Sequence, residues 1–172
     1  MSEILNAEPY VLDIASRGVD LGVSIENETY EEDNDASAKT DTTQLIEQTI
    51  KWKSDNFVTK LNYKPQILIP MTVALQYDNR GGIKKYHSCI DLSRFINLKT
   101  QKLKLKMDTH PNIVYSFKTN DFLTCFDMKN MYFHFKLNNR SSKLLNYKIV
   151  YPDNTVKYYN LNVMSYGYRN AS

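Results

Sequence analysis

Asp127 closes an apolar run, Phe122 to Phe126, that has the length and composition of a strand, and an aromatic, Tyr132, follows five residues later. A carboxylate at the end of a strand suits a hard divalent cation such as magnesium, which takes oxygen ligands in a rigid shell. Phosphoryl transfer through two metal ions stabilises both the attacking and the leaving oxygen, and needs more than one such carboxylate. Downstream of Asp127 the sequence offers only Asp153, within Tyr151-Pro152-Asp153-Asn154-Thr155, which reads as a turn. One aspartate does not hold two metals. Taken without its neighbours, Asp127 is better read as an ordinary strand-end aspartate.

Other residues carry charge or aromatic surface. Arg80 sits in the glycine turn Asp78-Asn79-Arg80-Gly81-Gly82, just ahead of Lys84 and Lys85, where phosphate contact and simple exposure are equally open. Lys102, Lys104 and Lys106 belong to a stretch, 99–106, where apolar and basic residues alternate. It fits a template-contacting strand or a solvated edge protected by lysines. Tyr147, Tyr151, Tyr158, Tyr159, Tyr166 and Tyr168 have faces for stacking on bases, but tyrosine also suits strands. Tyr132 and Phe133 read equally as core aromatics. Cys89 and Cys125 lie 36 positions apart in apolar runs, and the three histidines lack ligand spacing, so no zinc site is read.

The elements that must position these residues follow from period and punctuation. An acidic segment over about 24–40 reads as a flexible connection. A helix starts near Asp41, with Gln44 completing a capping-box-like start and Leu45, Ile46, Thr49 and Ile50 forming its inward stripe. From Pro65 the period changes to two. Ile67–Ile69 and Thr72–Leu75 read as strand split by Pro70, and Lys84 to Leu92 returns across the glycine turn. A short helix is expected over about 108–117, with Pro111 in its first turn. A second hairpin joins Leu144–Tyr151 to Val156–Val163. The class is α+β, with antiparallel hairpins and a few helices.

Charge is unevenly spread. Residues 1–41 hold 11 acidic and 2 basic side chains, leaving 8 acidic and 20 basic over 42–172. A basic body suits an anionic partner, nucleic acid being the commonest, whereas a lysine-rich solvated surface is the bland alternative. The acidic leader could also fold back and screen the body. The first 30 residues lack a secretory apolar core, and no apolar run approaches a membrane span. A reduced protein of the cytoplasm or nucleus, not secreted, is expected.

Five blocks in order resemble the reverse transcriptases of retroelements, most closely the DIRS-type branch, with gypsy-type and pararetroviral enzymes close behind. Pro9-Tyr10-Val11-Leu12-Asp13 is similar to the family's leader, and Lys64-Pro65 through Ile69-Pro70-Met71-Thr72-Val73-Ala74 to its first strand. Ile90-Asp91-Leu92-Ser93-Arg94-Phe95 resembles the finger segment, Phe126 to Phe135 the first palm motif, and Ser165 to Ser172 the segment around a glycine that precedes Tyr-X-Asp-Asp. The resemblance implies an acidic, partly disordered leader (1–41), a fingers-like region (42–116) and the N-terminal half of a palm (117–172).

It also implies roles. Asp127 would be the catalytic metal ligand for magnesium. Tyr132 would be the gate beneath the incoming sugar, with Met131 beside it. Gly167 would let the backbone approach nucleotide and template. Arg80, Lys84 and Lys85 would sit over the triphosphate, and Lys102, Lys104 and Lys106 along the nucleic acid. The partners would be an RNA or DNA template-primer and deoxynucleotides. Departures accompany the matches. His87 stands where the family has a phosphate-binding arginine, Met131 replaces a small residue before the gate, and Ser165 and Ser172 replace framing prolines. The 172 residues contain no Tyr-X-Asp-Asp, so the expectation is a truncated, retrotransposon-derived polymerase domain, inactive alone. The alternatives are a domesticated, non-catalytic nucleic-acid-binding module, or a fragment that binds a partner through its acidic leader.

Overall fold

A computed structural model describes residues 9–25, 27–102, 115, 117–118, 120–122, 124 and 127–170. The elements are α1 (Pro9–Arg17), β1 (Tyr30–Glu31), α2 (Ala36–Thr40), α3 (Thr42–Ser54), β2 (Val58–Leu61), β3 (Ile67–Leu68), β4 (Met71–Tyr77), β5 (Ile83–Ile90) and α4 (Ile96–Lys99). A 3-10 turn (Met131–His134), α5 (Asn139–Ser142), β6 (Asn146–Val150) and β7 (Val156–Leu161) follow. The class is mixed, with mainly antiparallel sheets and few helices. Strands pair as an antiparallel sheet β2-β7-β6, an antiparallel hairpin β4-β5 and a short parallel pair β1-β3. Among the described residues no helix is long and apolar enough to cross a membrane.

α3 is the helix that covers the three-stranded sheet. Leu45, Thr49 and Trp52 recur at helical spacing and are buried, whereas Ile50, expected on the inward stripe, is 63 % exposed. The 3.6-residue turn carries position 50 about 100° away from Thr49, so only one of the two can face the sheet. Asp41 precedes the helix without a side-chain cap bond, so the expected capping box is not made. The other end is fully closed. Asn56 takes the left-handed conformation at φ 60°, with Phe57 N–H donating to Trp52 O at 2.8 Å and Asn56 N–H to Lys53 O at 3.2 Å. These two bonds form a Schellman stop that turns the chain directly into β2.

Pro70 divides two sheets. Before it, β3 pairs with β1, and Ile69 N–H donates to Asn146 O at 2.8 Å, which ties β3 to β6. After it, β4 enters the hairpin. The second hairpin turns at Asn154 (φ 62°), with Asp153 Oδ1 accepting from Thr155 N–H at 3.0 Å and Thr155 Oγ1 at 2.7 Å. The structure differs from expectation after residue 100. Phe122 and Thr124, the described part of the strand expected over 122–126, have no strand pairing, and Phe122 is fully exposed. A short apolar run becomes strand only where a neighbour offers a ladder, and none of the described strands does so here. Apart from Tyr115 and Phe117, the helix expected over 108–117 lies outside the described residues, as do Lys104, Lys106 and Cys125.

The acidic segment is folded into the body instead of forming a flexible connection. Tyr30 stacks on Phe95 with ring centroids 4.1 Å apart, Ala38 is buried, and Asn34 bridges Lys148 O (2.9 Å) and Met71 N–H (3.0 Å). Its carboxylates meet the body's bases. Glu31 pairs with Lys64 (2.6 Å) and Lys148 (2.8 Å), Asp33 with Lys148 (2.7 Å), and Glu28 with Lys99. Arg94 is clasped by Glu32, Asp35 (2.7 Å) and Asp91 (3.1 Å). The charge asymmetry is thus an intramolecular clamp.

Hydrogen bonds from Lys148 and Lys64 hold the Glu31 carboxyl below the ordinary glutamate range, Lys148 does the same for Asp33, and Tyr30 and Arg94 for Glu32. A carboxyl whose folded pKa is depressed contributes stability that is present above its unfolded pKa and lost as pH falls through the folded one. We therefore expect the urea midpoint to drop between about pH 5 and about pH 3, on carboxylate pKa values near 4. Glu31→Gln starts from a lower midpoint at neutral pH and loses less on acidification. A wild-type midpoint that is flat over this range overturns the clamp. A second expectation concerns the buried hydroxyl pair Thr49 Oγ1 and Tyr147 Oη, 3.1 Å apart. Thr49→Val or Tyr147→Phe alone strands a polar partner and costs about 1–3 kcal/mol by denaturation, while the double variant costs less than the sum.

Candidate functional site

Two antiparallel stretches set the site. Met164 N–H donates to Phe135 O (2.8 Å) and Leu137 N–H to Asn162 O (2.9 Å), and Lys136 bridges Val163. This pairing brings the turn containing Tyr132 alongside the segment that begins at Ser165. Asn130, left-handed at φ 55°, starts the 3-10 turn and accepts from Phe133 N–H at 2.8 Å. Phe133 is thereby driven into the core against Trp52 and Phe57, at 5.6 and 5.1 Å between centroids. Its neighbours Met131 and Tyr132 stay at the surface, exposed and half-buried respectively.

Tyr166 is where the sequence blocks meet. Its ring stands edge-on to Tyr132, with centroids 4.8 Å apart, and tilts against Phe133 at 5.9 Å. The Tyr166 hydroxyl is pushed up by partial burial and by its electronegative neighbours Tyr132, Cys89 and Asp127. Asp127 itself is exposed, and its carboxylate lies within electrostatic reach of this phenol. Strand β5, the Asp127 segment and the Gly167 segment therefore share one neighbourhood. Cys89 lies on the same face of β5 as His87 and Lys85 by strand alternation. Burial pushes its thiol up, so it stays protonated.

Gly167 has φ 84°, and a β-carbon there would meet no atom within 4 Å. Its conformation is fixed by Asn97, which donates from Nδ2 to Gly167 O at 2.7 Å and accepts from Arg169 N–H at 2.8 Å. No spacing in the sequence pointed to Asn97, because the contact joins residues 70 positions apart. Tyr168 is buried and donates to Leu21 O, and Tyr147 and Tyr159 are buried beneath α3. Those three rings are core, not platforms for bases. Tyr166, with 42 % of its surface exposed, keeps an open face.

The basic residues expected at the site lie apart from Asp127 along the hairpin. Asp78 Oδ1 accepts from Arg80 N–H (2.8 Å) and Gly82 N–H (2.9 Å), which folds the turn and leaves the Arg80 side chain outside it. Gln76 and Tyr77 face Lys85 and Ile83, so Lys84 is the extra residue of a β-bulge that turns the tip. Arg80, Lys84 and Lys85 are exposed and form no salt bridge among the described residues. Lys102 is exposed beyond α4. His87 is exposed and sits 3.3 Å from Gln76 Oε1.

Asp127 is the one carboxylate these blocks supply. Asp153 is bound into its own turn by Thr155, and among the described residues no group of three or more His, Cys, Asp or Glu is placed to hold a metal ion. The donor set does not fit a two-metal centre by itself. Neither a protein-family model nor a curated protein matches the chain.

The left-handed position of Gly167 gives a direct expectation. Gly167→Val costs about 1–3 kcal/mol in urea denaturation from backbone strain alone, because there is room for a side chain. Gly167→Asn costs less, since asparagine tolerates this region. Equal costs for the two would show that packing, and not φ, constrains the position.

Proposed function

We propose that the chain is the fingers and first half of the palm of a reverse-transcriptase-like, template-directed nucleotidyltransferase domain of retroelement origin. The observation that carries this reading is the convergence on Tyr166 of three blocks far apart in sequence: Cys89 of β5, Asp127 with Tyr132, and the segment around Gly167. A polymerase site needs these three together, and ordinary core packing does not require an exposed aspartate among them. In this reading Asp127 contributes one carboxylate, Tyr132 lies under the incoming sugar, and Gly167 leaves backbone room for the nucleotide. Arg80, Lys84 and Lys85, which form no salt bridge among the described residues, and Lys102 contact phosphate.

Magnesium would supply charge neutralisation at the reacting phosphate in such an enzyme. Among the described residues only part of its shell is furnished, so chemistry calls for a further carboxylate that they do not bring to Asp127. That count favours, as a second reading, a non-catalytic nucleic-acid-binding module with the same basic hairpin. A partner-binding role for the acidic leader has less support, since Glu28, Glu31, Glu32, Asp33 and Asp35 are engaged by the molecule's own bases.

Fluorescence anisotropy with a primer–template, across about 50 to 200 mM salt, tests the shared core of both readings. Binding weakens with salt, and Arg80→Ala/Lys84→Ala/Lys85→Ala flattens the slope of log affinity against log salt by about 2. Salt-independent affinity, or a triple variant identical to wild type, overturns the hairpin assignment. These residues alone are expected to bind without extending the primer. Extension with magnesium and deoxynucleotides would overturn the ligand count.

A further inference from the structure

The covered face of the three-stranded sheet carries two residues foreign to a core. Strand alternation puts Val58 and Lys60 of β2 on the side facing α3, together with Lys157, Tyr159 and Leu161 of β7. Val58, Tyr159 and Leu161 are buried there, with Tyr147 and Ile149 of β6 beside them. Lys60 stands directly opposite Tyr159, and Lys157 lies two residues before it. On the facing wall, α3 presents Thr49 and Lys53. The three lysines, from three elements, line one pocket of about 330 Å³ whose floor is Tyr151 and Tyr159.

The pocket is chemically unfinished. None of Lys53, Lys60 and Lys157 forms a salt bridge among the described residues. The carboxylate that feels Lys157, Asp153, already accepts from the Thr155 amide and hydroxyl. Lys157 Nζ lies 3.8 Å from the centroid of the Tyr151 ring, which holds the ammonium over the pocket. Tyr151 and Tyr159 hydroxyls are 2.8 Å apart, and one bond between two hydroxyls uses one O–H, leaving the other to donate. Three ammonium groups and a spare phenolic proton around one recess are complementary to a compact oxyanion with several acceptor oxygens.

We propose that this pocket binds a phosphate group, that of a nucleic-acid backbone or of a free phosphorylated molecule. The lysines act as point charges, and the tyrosine hydroxyl fixes one oxygen. The site lies on the far side of α3's buried stripe from Tyr166, involves none of the hairpin bases, and stands independently of the polymerase reading.

The test is an amide-resolved NMR titration of the whole chain with inorganic phosphate, against chloride at matched ionic strength. Saturable shifts are expected at residues 53, 60 and 157. Lys60→Gln/Lys157→Gln weakens phosphate binding at least about tenfold, as loss of two charged donors requires. Lys53→Gln, on an exposed helix position that needs no repacking, weakens it several-fold and keeps the test decisive if the double variant does not fold. Absence of saturable shifts, or variants that bind phosphate like wild type, overturns the proposal and leaves the lysines as solvated stems over tyrosine. A single-stranded oligonucleotide distinguishes the source. If the backbone is the ligand, the salt slope falls by about 0.7 for each lysine removed. If phosphate affinity falls and the slope does not, the ligand is a free phosphorylated molecule.

Discussion

The contact on which the rest of the molecule leans is the aromatic cluster around Phe133. Its ring meets Trp52 of α3 and Phe57 at the start of β2 edge-on, and Tyr166 at a tilt. Edge-to-face pairs of this kind add about 0.5–1.5 kcal/mol each beyond the area they bury. More important is what the cluster connects. Trp52 is the last inward residue of the covering helix, and the Schellman stop four residues on delivers Phe57 to the same place. Phe133 in turn fixes the 3-10 turn that also carries Tyr132. The rigidity of the helix and sheet is thus handed to the surface where Tyr132 and Tyr166 meet, within electrostatic reach of Asp127.

A second constraint acts from the opposite end of the chain. β1 is only two residues long, and such a parallel pair is not self-sustaining. It is held by Tyr30 on Phe95, by the Asn34 bridge and by ion pairs that reach β6 and the loop after β5. Most of these pairs are solvent-exposed, and each alone contributes little. Their effect comes from sharing. Glu31 and Asp33 converge on Lys148, only 14 % exposed, and three carboxylates converge on Arg94. The clamp joins the parallel pair, the loop after β5 and the three-stranded sheet into one body.

The sequence made the local elements legible and left the long-range ones dark. Both hairpins could be read because their turns carry their own chemistry: Asp78 with Gly81 and Gly82, and Pro152-Asp153-Asn154. The helix from Thr42 was readable from its period, though period alone did not say that Thr49, and not Ile50, faces inward; the Tyr147 hydroxyl decided that. Counting the acidic segment's charges without their partners makes it look flexible, because the body's bases that hold it lie 33 (Lys64 from Glu31) to 117 (Lys148 from Glu31) residues away. The strand before Asp127 was read from composition, and its described residues lack the neighbour that would make it one. Asn97 left no trace in the sequence at all, since its role is to hold a backbone conformation.

The distribution of free charge carries the last step. Lys64, Lys148, Arg94 and Lys99 are neutralised from within, by Glu28, Glu31, Glu32, Asp33 and Asp35 of the acidic segment. Among the described bases that form no salt bridge, two groups of three stand together: the hairpin tip with Arg80, Lys84 and Lys85, and the pocket beside α3 with Lys53, Lys60 and Lys157; Lys51, Lys102, Lys118, Lys129, Lys136 and Lys143 belong to neither. A solvated surface built for solubility would intersperse both signs. Here the acidic segment neutralises Lys64, Arg94, Lys99 and Lys148 and leaves each of these two groups as a concentrated positive field that reaches over a Debye length of about 8–10 Å. The internal clamp and the outward positive fields are therefore one arrangement of charge, and a change that frees the leader alters both.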